Sequence, residues 1–192
     1  MQRAVSHSIG TTTTITRLSM SSSSTVPYPR AAVAVTLQWE GEEQQQCKYL
    51  LVQRAEEPDL GKWSIPGGKI EVGEPLLTAG QRELQEETGI GATRCQWYPH
   101  AFMTTDAIFK NNDDEEGDGA YQFHYLIAHC FAQTKGDNKG RPLEVNPSDD
   151  ASDAKWFSLE EIQQLQHENR VSEFVLKVLQ RAEYLQENGT LL

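Results

Sequence analysis

Cysteine is scarce in this chain of 192 residues, and the three cysteines present form no recognisable pattern. Cys47, Cys95 and Cys130 make an odd number at wide spacings, without a CxxC pair. Such a set argues against a disulfide framework or a zinc ribbon and is typical of a reducing compartment. Long apolar runs are also missing: none approaches the ~18 residues that a membrane span needs, which predicts a soluble chain with no membrane partner.

Acidic residues are absent from positions 1–39, where the charged residues are Arg3, Arg17 and Arg30. Since the whole chain carries −11 and this part contributes +3, residues 40–192 carry −14. A domain this acidic repels a phosphate backbone, so nucleic acid is not an expected partner. An anionic small substrate would need a cation to bridge it to the protein.

The first 28 residues contain little that could be buried. They include the stretch TTTTITRLSMSSSS, which is rich in Ser and Thr and free of acid. This composition predicts a disordered leader, and it is also the composition of an organelle transit peptide. Three interpretations stay open: a disordered tail, a transit peptide for a mitochondrion or plastid, and upstream sequence with Met20 as the true start. Without a transit peptide, we expect a cytoplasmic protein.

Residues 29–192 have the pattern of one α/β domain. Strand-like segments lie at 31–39, 47–54, 63–74 (two short pieces around a Pro-Gly-Gly turn), 96–109, 121–133 and 154–159. Helices are predicted from Pro75 to Gly89, from Ser158 with Glu161 as its capping-box partner, and over about 172–187. Strands interleaved with separate helices, without strict βαβ units, favour an α/β/α sandwich around a mixed β-sheet.

Three glutamates crowd one side of the first predicted helix. Glu83, Glu86 and Glu87 are three and four residues apart, which places all three carboxylates within an arc of roughly 100°. Like charges at these spacings cost a few tenths of a kcal/mol per pair, so something outside the helix should offset the repulsion. Clustered hard oxygen ligands select Mg²⁺ or Mn²⁺, and these ions typically share their shell with substrate phosphates. The helix therefore predicts a divalent-metal site that acts on a diphosphate.

An exposed charged helix face is the alternative explanation. Such a face usually interleaves lysines, whereas Arg82 is the only basic residue between positions 70 and 93. Arg82 precedes Glu86 by four residues, and its planar guanidinium is placed to orient Glu86 or Glu74. Gly67 and Gly68 allow the backbone to approach a metal closely, with the Gly68 carbonyl as a candidate ligand.

The spacing of these residues matches a known motif. From Gly68 the chain reads Gly68, five residues, Glu74, seven residues, Arg82-Glu83-Leu84, one residue, Glu86-Glu87, one residue, Gly89-Ile90. All nine fixed positions of the Nudix box are filled, and the sequence resembles the Nudix hydrolases. The resemblance extends over roughly residues 30–165, through GKWSIPGGK before the box and DDASDAKWFSLEEI after it. The HYLIA and DDA…WF segments look most like the branch labelled ADP-ribose pyrophosphatase.

Carried over residue by residue, the resemblance implies a loop–helix–loop site. The implied metal ligands are Gly68, Glu83, Glu86 and Glu87, and the implied catalytic residues are Glu86, Arg82 and Glu74. The expected ion is Mg²⁺, with Mn²⁺ as a substitute.

Three further residues are candidates for substrate binding. Arg54 ends the second strand, where Nudix enzymes often keep a basic residue; a solvent-facing side chain is the alternative. Asp149 and Asp150 lie in the loop where the family often places an extra acid near the metals. A turn stabilised by these Asp side chains explains them equally well, and the general base stays open.

The resemblance implies hydrolysis of a nucleoside diphosphate linked to another moiety, by attack of water on the bridging diphosphate. ADP-ribose, giving AMP and ribose 5-phosphate, is the leading substrate. Against it, Thr105 stands where many ADP-ribose enzymes of the superfamily have proline. The alternatives are a nucleoside-triphosphate pyrophosphatase of the sanitising type and a non-catalytic nucleotide-binding Nudix module. Analogy alone leaves a homodimer open.

Overall fold

The computed structural model describes residues 28–41, 47–110, 121–137 and 139–191. The predicted leader, apart from residue 28, therefore lies outside the described residues, as do residues 111–120 between the 96–109 and 121–133 strands. Within them, no helix is both long and apolar enough to cross a membrane. The elements in chain order are β1 (Arg30–Trp39), β2 (Lys48–Arg54), β3 (Trp63–Ser64), β4 (Gly67–Lys69), α1 (Leu76–Thr88), a 3-10 turn (Ala92–Arg94), β5 (Gln96–Lys110), β6 (Tyr121–Thr134), β7 (Ala151–Phe157), α2 (Leu159–His167) and α3 (Val175–Glu187).

One mixed, seven-stranded sheet organises the domain, as the sequence predicts. Its main order is β3-β2-β1-β6-β5, with β4 paired to β1 and β7 paired to β2. Strands β1 and β6 run parallel over ten residue pairs, from Arg30–Tyr125 to Trp39–Thr134. The ladders β1–β2, β1–β4, β2–β3, β2–β7 and β5–β6 are antiparallel.

Alternate residues of β1 contact helices on opposite sides of the sheet. Val35 packs in one core with Leu84 of α1, whereas Ala34 packs in another with Val178 of α3. Successive side chains of a strand point to opposite faces, so α1 covers one face while α2 and α3 cover the other. This layering confirms the predicted α/β/α sandwich. It also explains why seven of the ten residues of β1 are apolar, since the strand is buried on both faces.

The helix that carries the glutamates has its predicted bounds. Pro75 is extended and precedes the first helical residue, and Gly89 ends the helix in the left-handed region at φ 74°. Leu84 is fully buried, and a Cβ at Gly80 would lie 3.1 Å from Val35 Cγ2. The apolar side of α1 therefore packs closely on β1, which fixes where its carboxylates point.

Three features differ from the predictions. The Gly67-Gly68 segment, predicted as part of a turn, forms β4 with Lys69 because it pairs with β1. Helix α3 begins at Val175, not near 172, because Phe174 adopts a left-handed φ of 74° and Val171 forms an isolated bridge with Trp63. Strand β7 begins at Ala151, three residues before the predicted start. The capping box of α2 is confirmed, since the Ser158 hydroxyl accepts from the Glu161 N–H and the Glu161 carboxylate accepts in return from the Ser158 N–H.

The two histidines of β6 do not converge, because residues five apart on a strand point to opposite faces of the sheet. His124 is 2.8 Å from the Asp106 carboxylate, whereas His129 is buried and lies 2.8 Å from the Thr105 hydroxyl. Burial lowers the pKa of His129 to about 4. Thr105, the departure from the ADP-ribose pattern, is thus engaged in the interior.

Candidate active site

Strand β4, which lies between β3 and α1 in the chain, connects the sheet to the glutamate helix. Gly67 has a φ of 155°, and a Cβ there would lie 2.2 Å from the carbonyl oxygen of Val33. Only glycine fits this approach to β1. The backbone N–H of Gly67 donates to Glu87 Oε2 at 2.8 Å, so β4 also holds one of the predicted metal ligands.

Gly68 provides the second close approach. A Cβ at Gly68 would lie 2.6 Å from Glu83 Oε1 and 2.7 Å from Oε2. The Glu83 carboxylate therefore packs directly against the backbone of Gly68. The backbone of β4 at Gly67 and Gly68 therefore contacts the carboxylates of both Glu87 and Glu83. The sequence analysis predicts such a close approach of the backbone at these two glycines.

Arg82 is the centre of the carboxylate cluster. Its Nε and Nη2 form a fork on Glu74, at 3.0 and 2.9 Å. Its Nη1 donates to Glu83 Oε1 and to Glu86 Oε2, both at 2.8 Å, and Nη2 also donates to the Lys69 carbonyl at 3.0 Å. The hydrogen bond from Arg82 lowers the pKa of Glu74. Arg82 thus contacts both carboxylates within its predicted reach, and Glu83 as well.

The three glutamates of α1 are not equivalent. Glu83 and Glu87 are only 8% and 6% exposed, while 44% of the Glu86 side chain is exposed. Burial raises the pKa of Glu83, which the hydrogen bond from Arg82 opposes. Burial also raises the pKa of Glu87 to about 8, against the opposing hydrogen bond from the Gly67 N–H. Two carboxylates are therefore held in a region that disfavours their negative charge.

Arg54 and Asp150 lie in the same cleft as Glu87. They line a small cavity of about 60 Å³ together with Val52, Glu56, Ser64, Ile65, Gly67 and Glu87. The Ala55 N–H donates to the Asp150 carbonyl at 2.9 Å, and the Arg54 guanidinium donates to the Pro58 carbonyl at 2.6 Å. Asp150 adds to the raised pKa of Glu87, and Asp149 adds to that of Glu83. Arg54, Glu87 and Asp150 thus line one cleft, while Glu74, Glu83 and Glu86 are joined through Arg82.

A larger cavity, of about 490 Å³, contains none of the predicted site residues. It is open to solvent and lies beyond the C-terminal end of α1, lined by Gly89, Ile90, Gly91, Arg94, Asp137, Arg141, Pro142, Leu143 and Glu144. The smaller cleft is the candidate active site, because the predicted site residues Arg54, Glu87 and Asp150 line it.

The donor set of the cleft fits Mg²⁺ or Mn²⁺. It consists of oxygens alone, the ligand type that these hard cations prefer. When ionised, the three carboxylates that contact Arg82 exceed its single positive charge, so a further cation would relieve their repulsion. Over the described ranges, no three His, Cys, Asp or Glu side chains are grouped tightly enough to hold an ion as they stand. The Arg82 guanidinium bridges Glu83 and Glu86, so a bound ion would share these carboxylates with it.

Sequence reasoning missed two contributions to this site. One is the Gly67 N–H, whose role depends on the β4–β1 pairing. The other is the segment 146–148, which contacts the last turn of α1. The sequence signal for segment 146–148 was the turn composition Asn-Pro-Ser-Asp. This composition indicates a tight loop but does not indicate which part of the fold the loop contacts.

Replacing Arg82 by lysine tests the fork on Glu74. Lysine keeps the charge but cannot make two parallel bonds to one carboxylate while also contacting Glu83 and Glu86. We expect kcat to fall at least tenfold, because misplacing catalytic groups by about 1 Å carries costs of this order. Arg170→Lys is the matched control, since Arg170 makes one exposed ion pair, with Glu168. Equal kcat for both variants in steady-state assays would contradict a central role for Arg82.

Comparison with known proteins identifies the family. The NUDIX domain model matches residues 27–178, and the chain belongs to this family. It is 26% identical over 135 residues, 70% of this chain, to putative nudix hydrolase 1 of Caenorhabditis elegans. The chain spans 31% of the length of that protein, and no more than about a third of the first curated relatives it matches.

Solved structures share the fold at low sequence identity. An Ap4A hydrolase binary complex from C. elegans has a TM-score of 0.61 and 16% identity, covering 83% of this chain and 98% of that one. The NUDIX domain of Shewanella oneidensis NrtR, complexed with ADP ribose, has a TM-score of 0.58 and 21% identity, covering 82% of this chain and 88% of that one. These similarities establish the Nudix fold for this chain.

Proposed function

We propose that this chain is a Nudix-type pyrophosphohydrolase that cleaves a nucleoside diphosphate linked to another moiety. The observation that carries the proposal is the cluster in which Arg82 binds Glu74, Glu83 and Glu86 beside the buried Glu87. A purely structural helix face has no need to bury like charges, because doing so costs free energy. Binding of a divalent cation and a diphosphate offsets that cost.

The metal would be held by the Gly68 carbonyl, Glu83, Glu86 and Glu87. When bound, Mg²⁺ or Mn²⁺ supplies charge neutralisation at the phosphates and lowers the pKa of a coordinated water. Arg82 keeps Glu83 and Glu86 oriented, and its fork on Glu74 ties the loop before α1 to the helix.

The remaining residues of the cleft act on the substrate. The Arg54 guanidinium lies beside Glu87 and binds a phosphate of the substrate. Asp150 lines the same cavity as Arg54 and Glu87, and Asp149 precedes it in the chain. With Glu86, these two aspartates are the carboxylates proposed to accept a proton from the attacking water. Glu86 is the most exposed carboxylate of the Arg82 cluster, which favours it for proton exchange with solvent.

ADP-ribose is the proposed substrate, with AMP and ribose 5-phosphate as products. Its support is the sequence around HYLIA and DDA…WF, together with a fold relative that was solved with ADP ribose. The acidic character of residues 40–192 also favours a small metal-bound nucleotide over a polyanion.

The test is hydrolysis of a substrate panel with and without Mg²⁺. The panel contains ADP-ribose, NADH, dinucleoside polyphosphates and (d)NTPs, with products resolved by chromatography. Mg²⁺-dependent release of AMP from ADP-ribose supports the proposal. Release of pyrophosphate from a triphosphate would reassign the chain to the sanitising type, and nucleotide binding without turnover would make it a non-catalytic module.

A further inference from the structure

The last turn of α1 is held by a segment some sixty residues further along the chain. The Ser148 hydroxyl donates to the Glu86 carbonyl at 2.5 Å, and the Ser148 N–H donates to the Glu87 carbonyl at 3.2 Å. The Asn146 N–H donates to the Thr88 carbonyl at 2.9 Å. Helices normally end with four carbonyls that lack an intrahelical partner, and this segment provides donors for three consecutive ones.

The fourth carbonyl is satisfied locally. The Gly89 N–H donates to the Gln85 carbonyl at 2.9 Å, as in an ordinary glycine cap. The glycine ends the helix, so the contacts from residues 146–148 are not needed to stop it. They place the end of α1 relative to a different part of the fold.

The same segment continues directly into the cleft. Asp149 follows Ser148 in a left-handed conformation with φ 55°, and the Ala151 N–H closes the turn on the Ser148 carbonyl at 3.1 Å. The Asp150 carbonyl then accepts from the Ala55 N–H at the end of β2. One short stretch thus connects the turn that carries Glu86 to the strand end that carries Arg54.

We propose that Ser148 is a positioning residue for the hydrolytic site. Its hydroxyl fixes the last turn of α1, and it thereby sets Glu86 and Glu87 at a fixed distance from Asp149 and Asp150. Ser148 is the member of the three contacts that acts through a side chain, so substitution can remove it without changing the backbone. This inference rests on the proposed function, because it concerns the arrangement of groups around the same metal and substrate.

The experiment compares Ser148→Ala, Ser148→Thr and Ser152→Ala in Mg²⁺ titrations of both the hydrolysis rate and the melting temperature. Ser152 is the matched control: its exposed hydroxyl also donates to a backbone carbonyl, that of Gln53 at 3.1 Å, but this carbonyl is not on α1. Loss of one hydrogen bond is expected to lower kcat about fivefold in Ser148→Ala. The Mg²⁺ concentration for half-maximal activity should rise by a similar factor, with KM for the nucleotide changed less than twofold. Ser148→Thr should restore both values, and Ser152→Ala should match the unmodified protein.

The outcomes separate this inference from the proposed function. If the unmodified chain cleaves nothing on the panel, the proposed function fails. If it is active and Ser148→Ala has the same Mg²⁺ midpoint, the positioning role is wrong, even if thermal stability falls. Should Ser148→Ala fail to fold, Ser148→Cys retains size with a weaker donor. A raised Mg²⁺ midpoint in that variant supports the role, and an unchanged one overturns it.

Discussion

Replacing Glu87 by glutamine is expected to abolish hydrolysis while the fold stays intact. The amide oxygen of glutamine can still accept the Gly67 N–H, which now lies 2.8 Å from Glu87 Oε2. The substitution leaves a side chain that is only 6% exposed unable to carry a negative charge. Since burial disfavours that charge, the melting temperature without metal should stay the same or rise. We expect kcat to fall by about 1000-fold or more, because the lost charge would otherwise bind the metal beside the reacting phosphate.

Glu183→Gln is the control for this substitution. Glu183 is a half-buried glutamate on α3 that accepts a hydrogen bond from the Tyr49 hydroxyl at 3.2 Å, and burial raises its pKa as well. The control should keep full activity and the stabilisation of the melting temperature by Mg²⁺. Glu87→Gln should lose both. Near-normal turnover in Glu87→Gln would remove Glu87 from the chemistry and leave it as a structural partner of Gly67.

The sequence was sufficient to predict the helix that carries the site. Pro75 and Gly89 mark its ends with residues whose backbone preferences are strong, and the apolar positions between them have helical spacing. The spacing of the box indicated Glu83, Glu86 and Glu87 as candidate ligands. Their shared side of the helix follows from helical geometry. Predictions of this kind succeed since they depend on contacts within a few residues.

What the sequence could not give depends on contacts across the sheet. The arc shared by the three glutamates did not reveal that Glu83 and Glu87 are buried while Glu86 is half exposed. That difference in burial depends on two close approaches. Helix α1 packs closely on β1 at Gly80, and Gly67 and Gly68 of β4 lie against Glu87 and Glu83. The parallel pairing of β1 with β6 is equally non-local. The contact between Ser148 and α1 joins positions 62 residues apart, a separation for which local pattern carries no signal.

Replacing Gly67 by alanine is expected to remove both activity and much of the stability. The added Cβ would lie 2.2 Å from the Val33 carbonyl oxygen and 2.7 Å from Ala34 Cα. Both atoms belong to the backbone of β1, so the clash is relieved only if β4 separates from β1. We expect a loss of about 3 kcal/mol or more in the free energy of unfolding, measured by urea denaturation. Separation of β4 also moves the Gly67 N–H away from Glu87, so kcat should fall at least 100-fold.

Gly189→Ala is the control that separates the effect of the steric clash from the effect of a positive φ. Gly189 also has a positive φ, of 65°, but a Cβ there would meet nothing within 4 Å. Its cost should be about 1 kcal/mol, the strain of alanine in the left-handed region, with full activity. If Gly67→Ala behaved like Gly189→Ala, β4 would have to tolerate displacement without consequence for Glu87. The close approach of Gly67 to β1 would then not position the Glu87 carboxylate. The burial of Glu87 would have to result from the packing of α1 alone.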